Sequence, residues 1–139
     1  MTTKTYIGDT IIKQLRLTIE DIANGASALG DTNPIHFNHD EAIKAGYSGI
    51  IASGAHTSGL CGGALTQKFQ HSGPFMGLDC SYRFHKAVLP NEQLTIIWTT
   101  TLIEHKTKLK GHLAYFEGQM TDSSNKILIS ATMKVLLLD

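Results

Sequence analysis

The chain has 139 residues, of which 42% are hydrophobic and 17% charged; 12 basic and 12 acidic side chains sum to a formal charge of zero. A chain of this length buries about 68–70% of its unfolded surface, enough for one core and not two, and a charged fraction well under the usual ~25% predicts a protein that associates with itself. No cluster of Lys or Arg offers a footprint for nucleic acid or an anionic membrane. The longest late apolar run, Val135 to Leu138, is far short of the ~20 residues needed to span a bilayer, and Met1 to Asp9 hold no apolar leader segment. The expectation is a cytoplasmic protein with neither nucleic acid nor membrane as a partner.

In chain order, residues 11–17 read as a first strand. Thr18 then caps a helix whose apolar residues Ile19, Ile22, Ala23, Ala26 and Leu29 recur at steps of three and four, with Glu20 and Asp21 favourable in its first turn. Gly30 stops it. A loop through Asp31 and Pro34 leads to a short helix over 40–45, ended by Gly46. Residues 54–69 are small or apolar almost all round. Each interior glycine costs ~0.8–1 kcal/mol relative to alanine in a helix, so this helix is expected to need close approach, as inside a curved sheet.

From residue 76 the period switches to two. Met76, Leu78, Cys80, Tyr82 and Phe84 form one alternating set, and Leu94, Ile96, Trp98, Thr100 and Leu102 another. Residues 109–115 and 127–137 complete the strands, with turns expected at 88–91, 104–106 and 121–126. Cys61 and Cys80 form no CxxC pair and both read as buried, unbridged thiols. The pattern predicts one α+β domain over residues 1–139, a long central helix wrapped by an antiparallel sheet of about five strands.

The densest polar cluster in the helical half runs from Ala28 through Leu29-Gly-Asp-Thr-Asn-Pro-Ile-His36. Pro34 stiffens the turn between a carboxylate, Asp31, and an imidazole, His36, and the two converging on one water could activate it and move a proton. The alternative reading is that Asp31 and Asn33 form Asx turns and His36 is a satisfied histidine at a helix start.

This run, followed by Ala42, resembles the hydratase 2 motif of the MaoC-like, R-specific enoyl-CoA hydratases and dehydratases, which have a hotdog fold. Gly49-Ile-Ile-Ala-Ser-Gly-Ala-His-Thr57 is similar to the segment entering that family's central helix, and Tyr82-Arg-Phe-His-Lys-Ala-Val-Leu-Pro-Asn-Glu-Gln-Leu94 to its strand and turn. The resemblance implies reversible hydration of a 2-enoyl thioester to an R-3-hydroxyacyl thioester. Asp31 would take the water's proton, and His36 would orient the water and deliver a proton to the α-carbon. Asn33 would support the site, and the Gly54 amide would donate to the thioester oxygen as it becomes enolate-like.

Ser53, Gly54, Ala55 and His56 stand where the family places the helix entry at the substrate. Many members carry His-Gly-Met there, or tryptophan at the position of Ala55, so a small Ala55 implies a wider pocket. A serine within the family's central helix is matched only approximately, by Ser58 or Gly59. The resemblance also implies a homodimer with the site at the subunit boundary. The acyl group would arrive on coenzyme A or an acyl carrier protein, with no separate cofactor. Arg83, Lys86 and Lys68 could attract coenzyme A phosphates. A metal held by Asp31, His36 and His39 has no supporting ligand spacing, and His71, His85, His105 and His112 read as surface residues. Two rivals remain: a thioesterase of the same fold, and a non-catalytic acyl-thioester-binding protein.

Overall fold

The computed structural model describes residues 4–139. Its elements run β1 (Thr10–Leu15), α1 (Ile19–Ala28), α2 (His39–Lys44), α3 (Gly54–Phe69), β2 (Phe75–Phe84), β3 (Leu94–Lys106), β4 (Gly111–Thr121) and β5 (Ile127–Leu138), with single 3-10 turns at Pro34–His36 and Thr107–Leu109. The five strands form one antiparallel sheet in the order β1-β3-β4-β5-β2. It has the expected α+β architecture, with α3 lying against the sheet.

Alternation along β3 explains that packing: Leu94, Ile96, Trp98 and Thr100 are buried on one face. Trp98, Phe116, Leu65 and Phe69 are the bulk of the core between sheet and helix. Trp98 Nε1 donates to the Cys61 carbonyl at 2.8 Å, satisfying the indole and fixing α3 over β3. Trp98 in turn needs Gly118 across the ladder, where a Cβ would stand 2.4 Å from the ring.

The helix starts follow their caps. Thr18 accepts the Asp21 amide at 3.0 Å while the Asp21 carboxylate accepts the Thr18 amide at 2.9 Å, a closed capping box. Gly30 leaves the helix at φ 70°.

Three expectations need correction. The ladder of β3 runs on through Lys106, and the reversal occurs at Thr107–Leu109 with Lys110 at φ 54°, so β4 begins at Gly111 and residues 104–106 are strand. Cys80 is exposed, because β2 is an edge strand with most of its length open to solvent; Cys61 is buried and both thiols are free. The glycines of α3 do not all serve close approach. A Cβ at Gly62 would stand 3.1 Å from the Tyr82 hydroxyl and one at Gly54 3.2 Å from the Phe84 ring, but at Gly59 and Gly63 it would meet nothing within 4 Å.

Candidate active site

The loop after α1 reverses tightly. The Asp31 amide donates to the Ala26 carbonyl at 2.9 Å, and the Asp31 Oδ1 accepts the Asn33 amide at 3.1 Å, an Asx turn. Asn33 caps the 3-10 turn, its Oδ1 accepting the Ile35 amide at 3.3 Å, and Pro34 supplies the fixed φ of the first position. These local bonds aim Asp31 and His36 at each other: Asp31 Oδ2 lies 3.1 Å from His36 Nε2. The Asx turns of the second reading are present, and they are the means by which Asp31 and His36 are brought together.

Each member of the pair has a second partner. His36 is 5% exposed, and its Nδ1–H donates to the Ile51 carbonyl at 2.7 Å, which fixes the ring and turns Nε2 toward Asp31. Ser53, fully buried, donates its hydroxyl to Asp31 Oδ2 at 2.7 Å. The Ser53 hydroxyl first, then the Asn33 amide, and to a smaller degree His36, hold the Asp31 carboxyl below the usual carboxylate range against the opposing effect of burial.

Using Ser53 this way leaves α3 without a side-chain cap. The first amide of α3 to find a helical partner is that of Thr57, bonded to the Ser53 carbonyl at 3.0 Å. The amides of Gly54, Ala55 and His56 are thus the unpaired donors at the positive end of the helix. A cavity of about 360 Å³ opens beside the first of these residues, lined by His36, Gly54, Thr57, Tyr47, Phe84 and Lys86 among others. A larger concavity, about 590 Å³, lies on the opposite face of the sheet among Ser81, Arg83, Thr99 and Glu117; it holds no paired acid and base.

Of the residues singled out from the sequence, the structure gathers Asp31, His36, Ser53 and Gly54, with Asn33 shaping their loop. Ala55 is exposed at the start of α3 and does not line the cavity. His56 turns the other way: its ring fills the space a Cβ at Gly25 of α1 would need, at 2.2 Å, and its buried Nδ1 has no partner. Burial lowers its pKa, with Asp21 opposing. The Ser58 hydroxyl is bonded to the Ala55 carbonyl of its own helix at 3.1 Å, and Gly59 faces open space, so neither meets the pair.

His39 lies against Gly49, a Cβ there standing 3.2 Å from its Nδ1, and among the described residues no three His, Cys, Asp or Glu side chains are gathered to hold a metal. Of the three cations, Lys86 lines the cavity, Arg83 lies on the opposite sheet face, and Lys68 is ion-paired to Asp9. The sequence reading missed Thr57, Tyr47 and Phe84 as cavity walls. It also missed the Ser53 bond to Asp31; a serine immediately before a helix was the available signal, although it reads first as an N-cap.

The family described as MaoC like domain matches residues 4–116. No curated protein matches the chain significantly in sequence. Among solved structures, the (R)-hydratase from A. caviae involved in PHA biosynthesis superposes with a TM-score of 0.85 at 19% identity, covering 98% of this chain and 99% of that one. The ChsH1-ChsH2 complex from Mycobacterium tuberculosis gives 0.83 at 17%, covering 96% and 98%. The HadBC (3R-hydroxyacyl-ACP dehydratase) complex from the same organism gives 0.80 at 17%, covering 97% and 100%. At these identities the likeness is one of fold, the hotdog fold. No helix among the described residues is long and apolar enough to cross a membrane.

Proposed function

The chain belongs to the MaoC-like domain family, and from that premise we propose that it reversibly hydrates a 2-enoyl thioester to an R-3-hydroxyacyl thioester. The observation that carries this is the Asp31 Oδ2 to His36 Nε2 distance of 3.1 Å beside a cavity walled by His36 and by Gly54 at the start of α3. A water held between the two groups adds its oxygen to the β-carbon while its proton passes to Asp31. In this step His36 enters with protons on both ring nitrogens, the one on Nδ1 held by the Ile51 carbonyl; it gives the proton on Nε2 to the α-carbon, and the proton on Asp31 then crosses to Nε2, so the ion pair returns to its starting state. Both new bonds form from one side of the double bond, which makes the addition syn. As electron density moves onto the thioester oxygen, the Gly54 amide donates to it, at the positive end of α3.

The working unit in this proposal is a homodimer. Met76 and Leu78 on the edge strand β2 are 51% and 49% exposed, and α3 leaves Gly59 and Gly63 facing open space. A cavity of about 360 Å³ sits at the small end of the range for ligand sites, and a second chain would extend it. Lys86 at its wall supports a contact with a phosphate of the carrier, whether coenzyme A or the phosphopantetheine of an acyl carrier protein.

The test is an assay with crotonyl-CoA and acetyl-CoA side by side. Loss of enoyl absorbance without free thiol is expected; thiol release identifies the thioesterase, and no turnover of either with retained binding identifies a binding protein. General acid-base help typically contributes 10²–10⁴-fold, so Asp31→Asn and His36→Ala should each lower turnover by about that much. Turnover within tenfold of the parent in both, about 1.4 kcal/mol in the barrier, overturns their assignment.

A further inference from the structure

The pair His105 and His112 lies well away from the acid-base site, at the hairpin joining β3 to β4. The two are directly opposed in the ladder. Ala114 and Phe116 belong to the core, and His112 continues their row on the same face of β4, beyond the core toward solvent. His105 Nδ1 stands 3.1 Å from His112 Nε2, with the ring centroids 4.7 Å apart and the planes inclined at 59°. On the far side of His112, Nδ1 faces the Asp139 Oδ1 at 3.7 Å.

We propose that His105 Nδ1 and His112 Nε2 form a two-nitrogen chelate for a late first-row divalent cation such as Zn²⁺ or Cu²⁺, completed by water. Two imidazole nitrogens at about 2.0–2.1 Å from one ion, subtending about 90–110° at it, stand about 2.9–3.4 Å apart with their ring centres about 4.5–5.2 Å apart. Both observed distances fall in those ranges. A straight N–H···N bond of the same length would hold the ring centres about 5.4 Å apart, so the contact is bent away from the line joining the nitrogens, as ligation of one ion requires.

The Asp139 carboxylate adds the arrangement that favours ligation. At 3.7 Å it is too far for a hydrogen bond to His112 Nδ1, but its charge favours a proton on that nitrogen over one on Nε2, the carboxylate–histidine–metal order of bound sites. The neighbouring charges do not close the site: Lys106 is paired with Glu104 at 3.2 Å, and in the unbroken strand both point to the face opposite His105. Lys110 and Lys108 in the turn add positive charge nearby and keep the affinity moderate. Borderline-soft nitrogen donors select Cu²⁺ over Zn²⁺ and both over Mg²⁺ or Ca²⁺.

Tag-free protein titrated with ZnCl₂ by calorimetry, in parallel with ring ¹⁵N spectra of the histidines, tests the proposal. One equivalent per chain is expected, with the ring nitrogens of His105 and His112 shifting together. His105→Gln and His112→Gln should each weaken binding at least tenfold, Asp139→Asn by a smaller factor, and MgCl₂ should produce no shift. The ring spectra need no variant, so a substitution that fails to fold leaves the test intact. Absence of shifts in these two rings at saturating Zn²⁺, or binding unchanged within twofold in both Gln variants, overturns it.

Discussion

Asp31 accepts two hydrogen bonds besides its contact with His36. Ser53 and the Asn33 amide both favour its charged form, so the carboxylate stays ionised at a pH where an unassisted aspartate would begin to protonate. Where ionised Asp31 is required for turnover, removing one of these donors should move the acid limb of the kcat/KM profile toward higher pH. Ser53→Ala is expected to do so, with Ser53→Thr restoring the parent profile; an unmoved limb with reduced activity would mean that Ser53 serves only to pack. The same bonds bear on stability. A carboxyl whose pKa is lower in the folded chain contributes stability that is present above its unfolded value of about 4 and is lost as pH falls through the folded one.

His56 makes a separate acid-side contribution. Burial lowers its pKa in the folded chain, so as pH falls below about 6.5 the unfolded chain takes up a proton that the folded one refuses. Stability therefore drops from pH 6.5 down to the lower folded pKa and then levels off with respect to this group. Denaturant midpoints measured from pH 7.5 to 5 should show that slope, and His56→Gln should flatten it; an identical slope in the variant would assign the loss to other groups.

At the scale of the elements, the positions of glycine distinguish packing from freedom. Gly118→Ala should destabilise by about 1–3 kcal/mol through overpacking, because the Trp98 ring it would strike is tied to the Cys61 carbonyl. Gly63→Ala, with nothing within 4 Å, should instead raise the intrinsic stability of α3 by about 0.8–1 kcal/mol. Paired thermal melts check both signs.

What the sequence made legible at this scale follows from local physics. The capping box of α1, the glycine stop and the two-residue period of β3 are each encoded within a few residues, and the Asp31 to His36 turn is encoded by its own Asx and proline chemistry. The edge position of β2 is not, since alternation tells which face a residue occupies and not whether a neighbouring strand covers it; Cys80 was misplaced for that reason. The extension of β3 through Glu104 and Lys106 was hidden because cross-ladder pairing holds polar residues that read as a turn, and the left-handed Lys110 has none of the glycine or asparagine that signals one. The Ser53 to Asp31 bond joins segments 22 residues apart, beyond any local pattern.

For the whole molecule, the proposed homodimer is tested at β2, one of the two edge strands of the sheet. Edge strands that remain in solution as monomers are blunted by charge, proline or a covering element. On β2, Asp79 and Arg83 are the charged residues, while Met76, Leu78 and Phe84 are about half exposed. The same strand ends at Phe84, against Gly54 and within the wall of the candidate active site, so pairing of two β2 edges would couple assembly to catalysis. Leu78→Lys places a charge on this edge without touching Asp31, His36 or Gly54. Sedimentation should show the parent as two chains and the variant shifted toward one, with turnover falling in step as the dimer is diluted out. If the parent sediments as one chain at full activity, the dimer proposal fails while the acid-base assignment stands. If the variant remains dimeric, the contact lies on another face, for which the open side of α3 at Gly59 and Gly63 is the next to test.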